Sequence, residues 1–479
     1  MKYEAVIGLE VHVQVRTATK MFCSCPNRFG DEPNANTCPI CMGYPGVLPV
    51  PNKEAIVAAV KAGLLTEGTI SKRSKFDRKS YFYPDLPKNY QITQYDEPFS
   101  LGGCIRVGGT GFSGEPLPEK AIGLTRIHLE EDPAKLNHYK GFSGADYNRA
   151  GVPLLEIVSE PDMRTADEAY AYLTSLKEIL QYGGISDCDM EKGQMRCDVN
   201  VSLRPVGTEK FGTKVELKNL NSFRAVHHAI DHEMIRQAEI LDAGGTISQE
   251  TRGWDEPSGS TYLMRSKEEA HDYRYFPDPD LMPVVFTDEE IEAIRATLPE
   301  LPRAKRERFE KEYSLTPYDA GVLTAEAALA DYFEAVAKAS GTPKLASNWI
   351  QSELLRELSA RSLDIEQCPV TPEKLAGLLK LVAASTINGK VAKELLPELF
   401  EGGDAAEIVA KRGLGQVSDA GAMTGFIEEV IKNNPAQVTQ YLEGNERVLQ
   451  YLVGQVMKAS KGKANPKMAA DLLAEALKK

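Results

Sequence analysis

The stretch Ala5–Val15, A-V-I-G-L-E-V-H-V-Q-V, alternates without a break: Ile7, Leu9, Val11, Val13 and Val15 are apolar, and Gly8, Glu10, His12 and Gln14 are not. Strict period-two alternation rich in β-branched residues predicts a strand with one face in a core and one polar face. The pattern returns three times. In Arg196–Leu203 the apolar set is Cys197, Val199, Val201 and Leu203, and the other set is Arg196, Asp198, Asn200 and Ser202. In Thr213–Lys218, Val215 and Leu217 alternate with Lys214, Glu216 and Lys218, and in Leu124–Glu131, Ile127 and Leu129 alternate with Arg126, His128 and Glu130. Antiparallel sheets often turn such a face to water. Asp, Asn and Glu are depleted in strands, however, and here Glu10, Asp198, Asn200 and Glu216 sit mid-strand, with His12 beside Glu10. Locally unfavourable residues gather at functional sites, so this face is expected to line a pocket.

A chain of 479 residues predicts two to four domains. The net charge of −13 excludes a general nucleic-acid coat and confines any such contact to local basic patches. The N-terminus enters a strand at once with no apolar signal region, and no uncharged run reaches the roughly 18 residues of a membrane span. A cytoplasmic protein without membrane contact is expected, so its eight cysteines read as thiols or metal ligands. Cys23, Cys25, Cys38 and Cys41 form a C-x-C and a C-x2-C pair across a Pro/Gly/Asn-rich turn, the spacing of a four-cysteine structural Zn²⁺ site. Cys104, Cys188, Cys197 and Cys368 are scattered and read as small core residues.

Ser71–Tyr95 interleaves Lys72, Arg73, Lys75, Arg78, Lys79 and Lys88 with Phe76, Tyr81, Phe82, Tyr83 and Tyr90. Cations beside rings suit a ligand with phosphates and a base, ATP or an RNA 3′ end, although such rings can also simply pack. Gly109–Gly114 matches G-x-G-x-x-G, but Glu115-Pro116-Leu117-Pro118 follows where the motif needs a helix, so a hairpin loop is expected. Glu130-Glu131-Asp132 closes a strand; three adjacent carboxylates suit Mg²⁺ or a solvated acidic turn. Thr165–Glu168 starts a helix, as does Ser222, and from about Asp288 the pattern is helical, with Thr371-Pro372-Glu373 as another start. Glu401-Gly402-Gly403-Asp404 reads as a hinge. From Gly444 to Lys479 seven Lys/Arg face three acids, a local excess of cations that fits a polyanion or a solvated helix.

Val6–Val15, Lys75–Asp85 (K-F-D-R-K-S-Y-F-Y-P-D), Arg196–Asn200 (R-C-D-V-N), Lys214–Ser222 (K-V-E-L-K-N-L-N-S), Asp272–Asp278 (D-Y-R-Y-F-P-D) and Leu452–Lys467 closely resemble the B-subunit family of aspartyl/glutamyl-tRNA amidotransferases. The resemblance covers the whole chain. It implies an α+β fold: a glutamine-synthetase-like antiparallel-sheet cradle domain over residues 1–288, an all-helical domain over 289–402, and a small helical tail module over 403–479 that touches tRNA. It implies an ATP-dependent ligase. ATP phosphorylates the side-chain carboxylate of Glu or Asp mischarged on tRNA(Gln) or tRNA(Asn), and ammonia from a separate amidase (glutaminase) subunit displaces the phosphate. A small third subunit would complete a heterotrimer. Carried over residue by residue, the resemblance places Mg²⁺ on Glu10, His12 and Glu131, with Glu130 adjacent. Asp198 becomes a further active-site acid, and Lys79 a lysine for the phosphates. Arg78, Tyr81, Tyr83, Asn200, Glu216 and Lys218 are expected around substrate or nucleotide, and Lys458, Lys461, Lys463 and Lys467 on the tRNA. A scaffold that only presents tRNA would have no need of mid-strand acids. A stand-alone carboxylate–amine ligase would accept free ammonium as sole donor.

Overall fold

Tyr3–Gln14 (β1) is a strand with the expected two faces: Ile7, Leu9, Val11 and Val13 are at most 2 % exposed, and Gly8, Glu10, His12 and Gln14 are half-buried on the other side. The computed structural model describes residues 2–266, 272–415, 420–445, 447–460, 464 and 466–477, and the chain divides into two units, Met1–Leu301 and Pro302–Lys479.

In chain order the first unit continues with α1 (Lys53–Leu65), β2 (Asp77–Ser80), β3 (Tyr90–Thr93), β4 (Cys104–Thr110), β5 (Pro116–Glu131) and β6 (Pro153–Ser159). It then forms α2 (Ala166–Tyr182), β7 (Met195–Pro205), β8 (Val215–Lys218), α3 (Phe223–Asp242), β9 (Glu250–Asp255) and β10 (Ser260–Ser266). A ten-stranded sheet runs β10-β9-β8-β7-β1-β6-β5, then the short pairs Ser100–Leu101 and Thr69–Ile70, with β4 on β5. Among the described residues only β8 and β9 run parallel; the other pairs are antiparallel. The fold is mixed α+β, with one large sheet and many helices.

The register puts one row of side chains on the polar face: His128 of β5, Glu156 of β6, His12 of β1 and Arg196 of β7 are successive cross-strand partners. The opposite face packs on Leu173, Leu176 and Leu180 of α2 and Val226, Ala229 and Ile230 of α3 in one core. Burial of each aliphatic side chain is worth about 1.5–3 kcal/mol. A one-residue slip of β1 would expose Ile7, Leu9, Val11 and Val13 together, a loss on the order of a domain's whole stability. The core therefore fixes where the polar residues point.

The helix starts follow their caps. Asn52 accepts from Glu54 N and Ala55 N, and Ser222 Oγ accepts from Ala225 N. Thr165 Oγ1 accepts from Glu168 N, but the Glu168 carboxylate returns to Arg164 N rather than to Thr165. The G-x-G-x-x-G segment is the turn between β4 and β5, closed by Gly111 N donating to Glu115 O. The segment Asp272–Asp278 is tied to β2 by its backbone: Ser80 N donates to Tyr273 O, and Phe276–Pro277 pairs with β2, which pairs with β3. His271 lies outside the described residues.

The helix Asp288–Arg295, begun by a Thr287/Glu290 capping box, packs Ile291 on Val60 and Leu64 of α1. In the second unit, Phe309, Phe333, Trp349, Leu379, Leu396, Ala405 and Val409 share one core, and Met423, Ile427, Leu452, Val456 and Leu473 share another. Thr371 caps the Pro372–Ala383 helix as its sequence predicts. No helix among the described residues is long and apolar enough to cross a membrane.

The first of those helical cores carries a charge cluster with a pH signature. Glu334 accepts from Arg308 at 2.8 and 3.0 Å and faces Lys338 at 2.8 Å, and Arg308, then Lys338, holds its carboxyl down to about 2. A depressed folded pKa gives stability that is full above the unfolded value of about 4.3 and lost as pH falls towards 2. Solvent screening holds the contribution to about 1 kcal/mol. In urea unfolding of the full chain, Glu334→Gln should lose about that much less stability than the parent between pH 5 and pH 3; equal losses would refute the assignment.

Candidate active site

Because β1, β5 and β6 present alternate residues to one side, five groups meet above the sheet. His12 Nε2 lies 3.4 Å from Glu156 Oε2, 3.6 Å from Glu10 Oε1 and 4.0 Å from Glu130 Oε1. His128 Nε2 lies 3.5 Å from Glu156 and 3.6 Å from Glu130, which also accepts from Thr93 Oγ1 at 2.9 Å. Glu130, Glu156 and His128 are buried. Three carboxylates so close repel one another unless cations share the space. Burial alone would lower the His12 pKa, but Glu156, Glu130 and Glu10 raise it to about 9. The Glu10 carboxyl lies above its ordinary range because of burial and then of Glu156. Glu156 is held low by its two histidines and by Lys79, against its burial.

The next row adds Asp198, the cross-strand partner of Glu10, whose carboxylate is ion-paired with Lys218; Lys218 is 3.5 Å from Glu216, which accepts from Thr251 at 2.7 Å. Asn200 lies on the same face opposite Gly8 and Glu216. Lys79, on β2, sits with its ammonium 4.8 Å from the Tyr273 ring centre, and no carboxylate lies within ion-pair distance of it among the described residues. Burial works against its charge, yet Glu130 and Glu156 hold its pKa above the usual lysine value. Tyr81 meets Tyr273 edge-on, and Tyr83 is exposed.

Two expected residues point elsewhere. Successive residues of a strand face opposite ways, so Glu131 turns away from Glu130. Its carboxylate is ion-paired with Lys88 and accepts from Ile92 N at 2.9 Å. It is not gathered with Glu10 and His12; Glu156 takes that place. The signal for Glu156 was a lone carboxylate inside the apolar strand P-L-L-E-I-V-S. His128 was marked by its shared phase with Glu130. Arg78, one residue from Lys79, faces the other way and is consumed by Asp278 at 2.8 Å and Asp280 at 2.9 Å, over the Tyr90 ring.

The donor set fits a hard divalent cation. Glu10, His12 and Glu156 each offer a ligand atom within 4.8 Å of the others, as do His128, Glu130 and Glu156. Cys23, Cys25, Cys38 and Cys41 likewise converge within 4.8 Å, four sulfurs with the chemistry of structural zinc. Cys41, hydrogen-bonded to Cys23 and near the buried Lys20 (Nζ 3.7 Å from Sγ), is held well below the ordinary thiol range. Beside it a cavity of about 180 Å³ is lined by Cys23, Cys41, Lys88, Tyr90 and Glu131. Gly151, at φ 86°, closes the turn between β5 and β6 there and gives its carbonyl to Met21 N, tying the cysteine loop to the sheet.

Of the tail lysines, Lys458 is in the Val448–Ala459 helix; Lys461, Lys463 and the side chain of Lys467 lie outside the described residues.

Residues 5–292 match the family described as GatB/GatE catalytic domain, and residues 331–477 the one described as GatB domain. The chain is similar to the B subunit of the aspartyl/glutamyl-tRNA(Asn/Gln) amidotransferase of Carboxydothermus hydrogenoformans, 52 % identical over 484 residues, covering 100 % of this chain and 99 % of that one. It is 53 % identical over 479 residues to that of Trichlorobacter lovleyi and 53 % over 480 to that of Persephonella marina, with 100 % of each chain covered in both cases.

Proposed function

Since the chain belongs to the family of aspartyl/glutamyl-tRNA(Asn/Gln) amidotransferase B subunits, we propose that its polar sheet face carries out the phosphoryl-transfer half of that reaction. The amidotransferase is a glutamine-hydrolysing ligase. It converts mischarged Glu-tRNA(Gln) or Asp-tRNA(Asn) to the amide, phosphorylating the side-chain carboxylate before ammonia displaces the phosphate. A carboxylate oxygen is a poor leaving group, and ATP turns it into a good one. Such transfer needs positioning and charge neutralisation far more than covalent protein chemistry.

The observation that carries this reading is the convergence of Glu10, His12 and Glu156 beside Asp198 and Lys79. Glu10, His12 and Glu156 would hold Mg²⁺, which when bound neutralises phosphate charge. Lys79, with no carboxylate within ion-pair distance among the described residues, stands ready for phosphate oxygens. Lys218 and Asp198 hold each other in place at the border of the cluster, and Tyr81 and Tyr273 wall it. Our reading of this mostly antiparallel sheet is a cradle of glutamine-synthetase type, with Zn²⁺ on the four cysteines as a structural pin. The helical part beyond Asp288 and the tail would engage tRNA, through Lys458, Lys461, Lys463 and Lys467. An amidase subunit supplying ammonia and a small third subunit would complete a cytoplasmic heterotrimer.

The test is a reconstituted complex with its glutaminase chemically blocked. ADP should form only with both mischarged tRNA and Mg²⁺, and hydroxylamine should trap the activated side chain as a hydroxamate. ADP release that ignores the charged tRNA, or none at all, would sink the reading. Support of full amidation by the isolated chain with free ammonium alone would favour a stand-alone ligase.

A further inference from the structure

We propose that Arg196 is a catalytic residue of the same transfer, closing its guanidinium on the phosphoryl group as it passes from ADP to the carboxylate, and that Asp132 is the positioning residue that aims it. The proposal rests on the phosphoryl-transfer reading of the polar face.

Arg196 is the cross-strand partner of His12 and shares its face with Asp198. Asp132, 1 % exposed, accepts from Arg196 Nη2 at 2.7 Å through Oδ1 and from Gln14 Nε2 at 2.8 Å through Oδ2. A second guanidinium, that of Arg149, lies 3.7 Å from the same Oδ1. Two guanidinium groups on one carboxylate leave a positive excess beside a metal-suited acidic cluster. The two differ in what they have to spare. Arg149 donates to Pro133 O at 2.9 Å and Ala134 O at 2.7 Å, so it is spent on holding the turn. Arg196 Nε is buried with no hydrogen-bond partner among the described residues.

The remaining cations around the face are committed or differ in shape. Lys218 belongs to Asp198, and Arg126, in phase with His128 and Glu130, lies with Nη2 3.5 Å from Glu156 Oε1. Lys79 is a compact point charge. A guanidinium is a planar fork that bridges two oxygens at once, which suits a phosphoryl group whose charge is spread over three equatorial oxygens. There is also space for what the phosphoryl group leaves. Gln14 and Arg149, the other groups on Asp132, line a cavity of about 630 Å³, within the range that holds a nucleotide. Asp132 thus accepts both from Gln14, which lines that cavity, and from Arg196, the cross-strand partner of His12. In the step itself the bond from the γ-phosphorus to the ADP oxygen breaks and one to the substrate carboxylate oxygen forms. The electron pair leaves on ADP and no proton is transferred, so Arg196 acts only by charge and orientation.

In the reconstituted complex, Arg196→Ala should lower kcat for charged-tRNA-dependent ADP formation on the order of 10²–10³-fold, with KM for charged tRNA changed by less than about threefold. Guanidinium ion at millimolar concentration should restore part of the Arg196→Ala rate and none of the rate lost in Asp198→Ala. Arg196→Lys keeps the charge without the fork and should stay at least about tenfold below the parent. Asp132→Asn should fall between the two. A kcat within about threefold of the parent for Arg196→Ala would overturn the proposal, as would full activity of Arg196→Lys or a loss confined to KM for charged tRNA. If the parent complex itself forms no ADP with charged tRNA, the wider reading has failed; normal parent turnover with indifferent Arg196 variants removes only this residue.

Discussion

Glu10→Ala and Asp198→Ala are each expected to reduce ATP-dependent activation of mischarged tRNA by about 10³-fold or more, while glutamine hydrolysis, assigned in our proposal to an amidase subunit, continues. Glu10 sits 3.6 Å from His12 and directly across from Asp198, so the first change removes a metal-suited carboxylate and the second the carboxylate that pairs with Lys218 at the cluster's border. Loss of one well-placed charge at a phosphoryl-transfer site typically costs about 10²–10³-fold, and loss of a metal ligand costs more. Stability should move the other way for Glu10. Its carboxyl pKa is raised by burial and by Glu156, so the ionised form is unfavourable in the metal-free fold. The sign follows: stability is lost as pH rises from the unfolded value of about 4.3 through the raised folded one. Glu10→Gln should therefore melt at the same temperature as the metal-free parent or higher, while being inactive. Such opposition between activity and stability marks a residue kept for chemistry. Undiminished amidation by Glu10→Ala, measured as amide formed on tRNA, would refute its role.

Removal of zinc should have the largest effect on stability. From residue 27 to residue 52 the chain has no strand or helix, and among the described residues Cys23, Cys25, Cys38 and Cys41 are the one group of metal-suited side chains that converges there. Structural zinc contributes roughly 10 kcal/mol to small domains at neutral pH, enough to decide whether such a loop is folded. The purified chain should carry one zinc per molecule by elemental analysis. A strong chelator, or Cys23→Ser with Cys41→Ser, should expose residues 23–51 to limited proteolysis and lower the melting temperature by more than about ten degrees. A metal-free chain that melts unchanged, with this loop intact to protease, would exclude a structural site.

The polar face was legible because alternation survives in the sequence wherever one side of a strand is buried. Glu10, His12, Asp198, Glu216 and Lys218 are all brought to that face for this reason. The same rule, followed strictly through Ile127, Leu129 and Glu131, sets Glu131 on the far side from Glu130, yet three adjacent acids invite being read as one cluster. Glu156 escaped notice because a single carboxylate in an apolar strand carries no periodic signal; only its cross-strand neighbours, far away in sequence, reveal its place. Arg78 and Lys79 show the same limit. A loop dense in cations does not say which of them will find Asp278 and Asp280, about 200 residues on, and which will be left over. The G-x-G-x-x-G segment, by contrast, was decided locally, since two prolines forbid the helix that the motif requires.

Glu130 and Glu131 occupy neighbouring positions at the end of β5, one among the histidines and the other against the cysteine loop. A single peptide bond thus joins two pieces of chemistry that share no side-chain contact. Oxidation of the thiols would slacken a strand end whose next residue is the innermost carboxylate of the cluster. Redox damage on one side of the sheet would then be read out as a slower enzyme on the other.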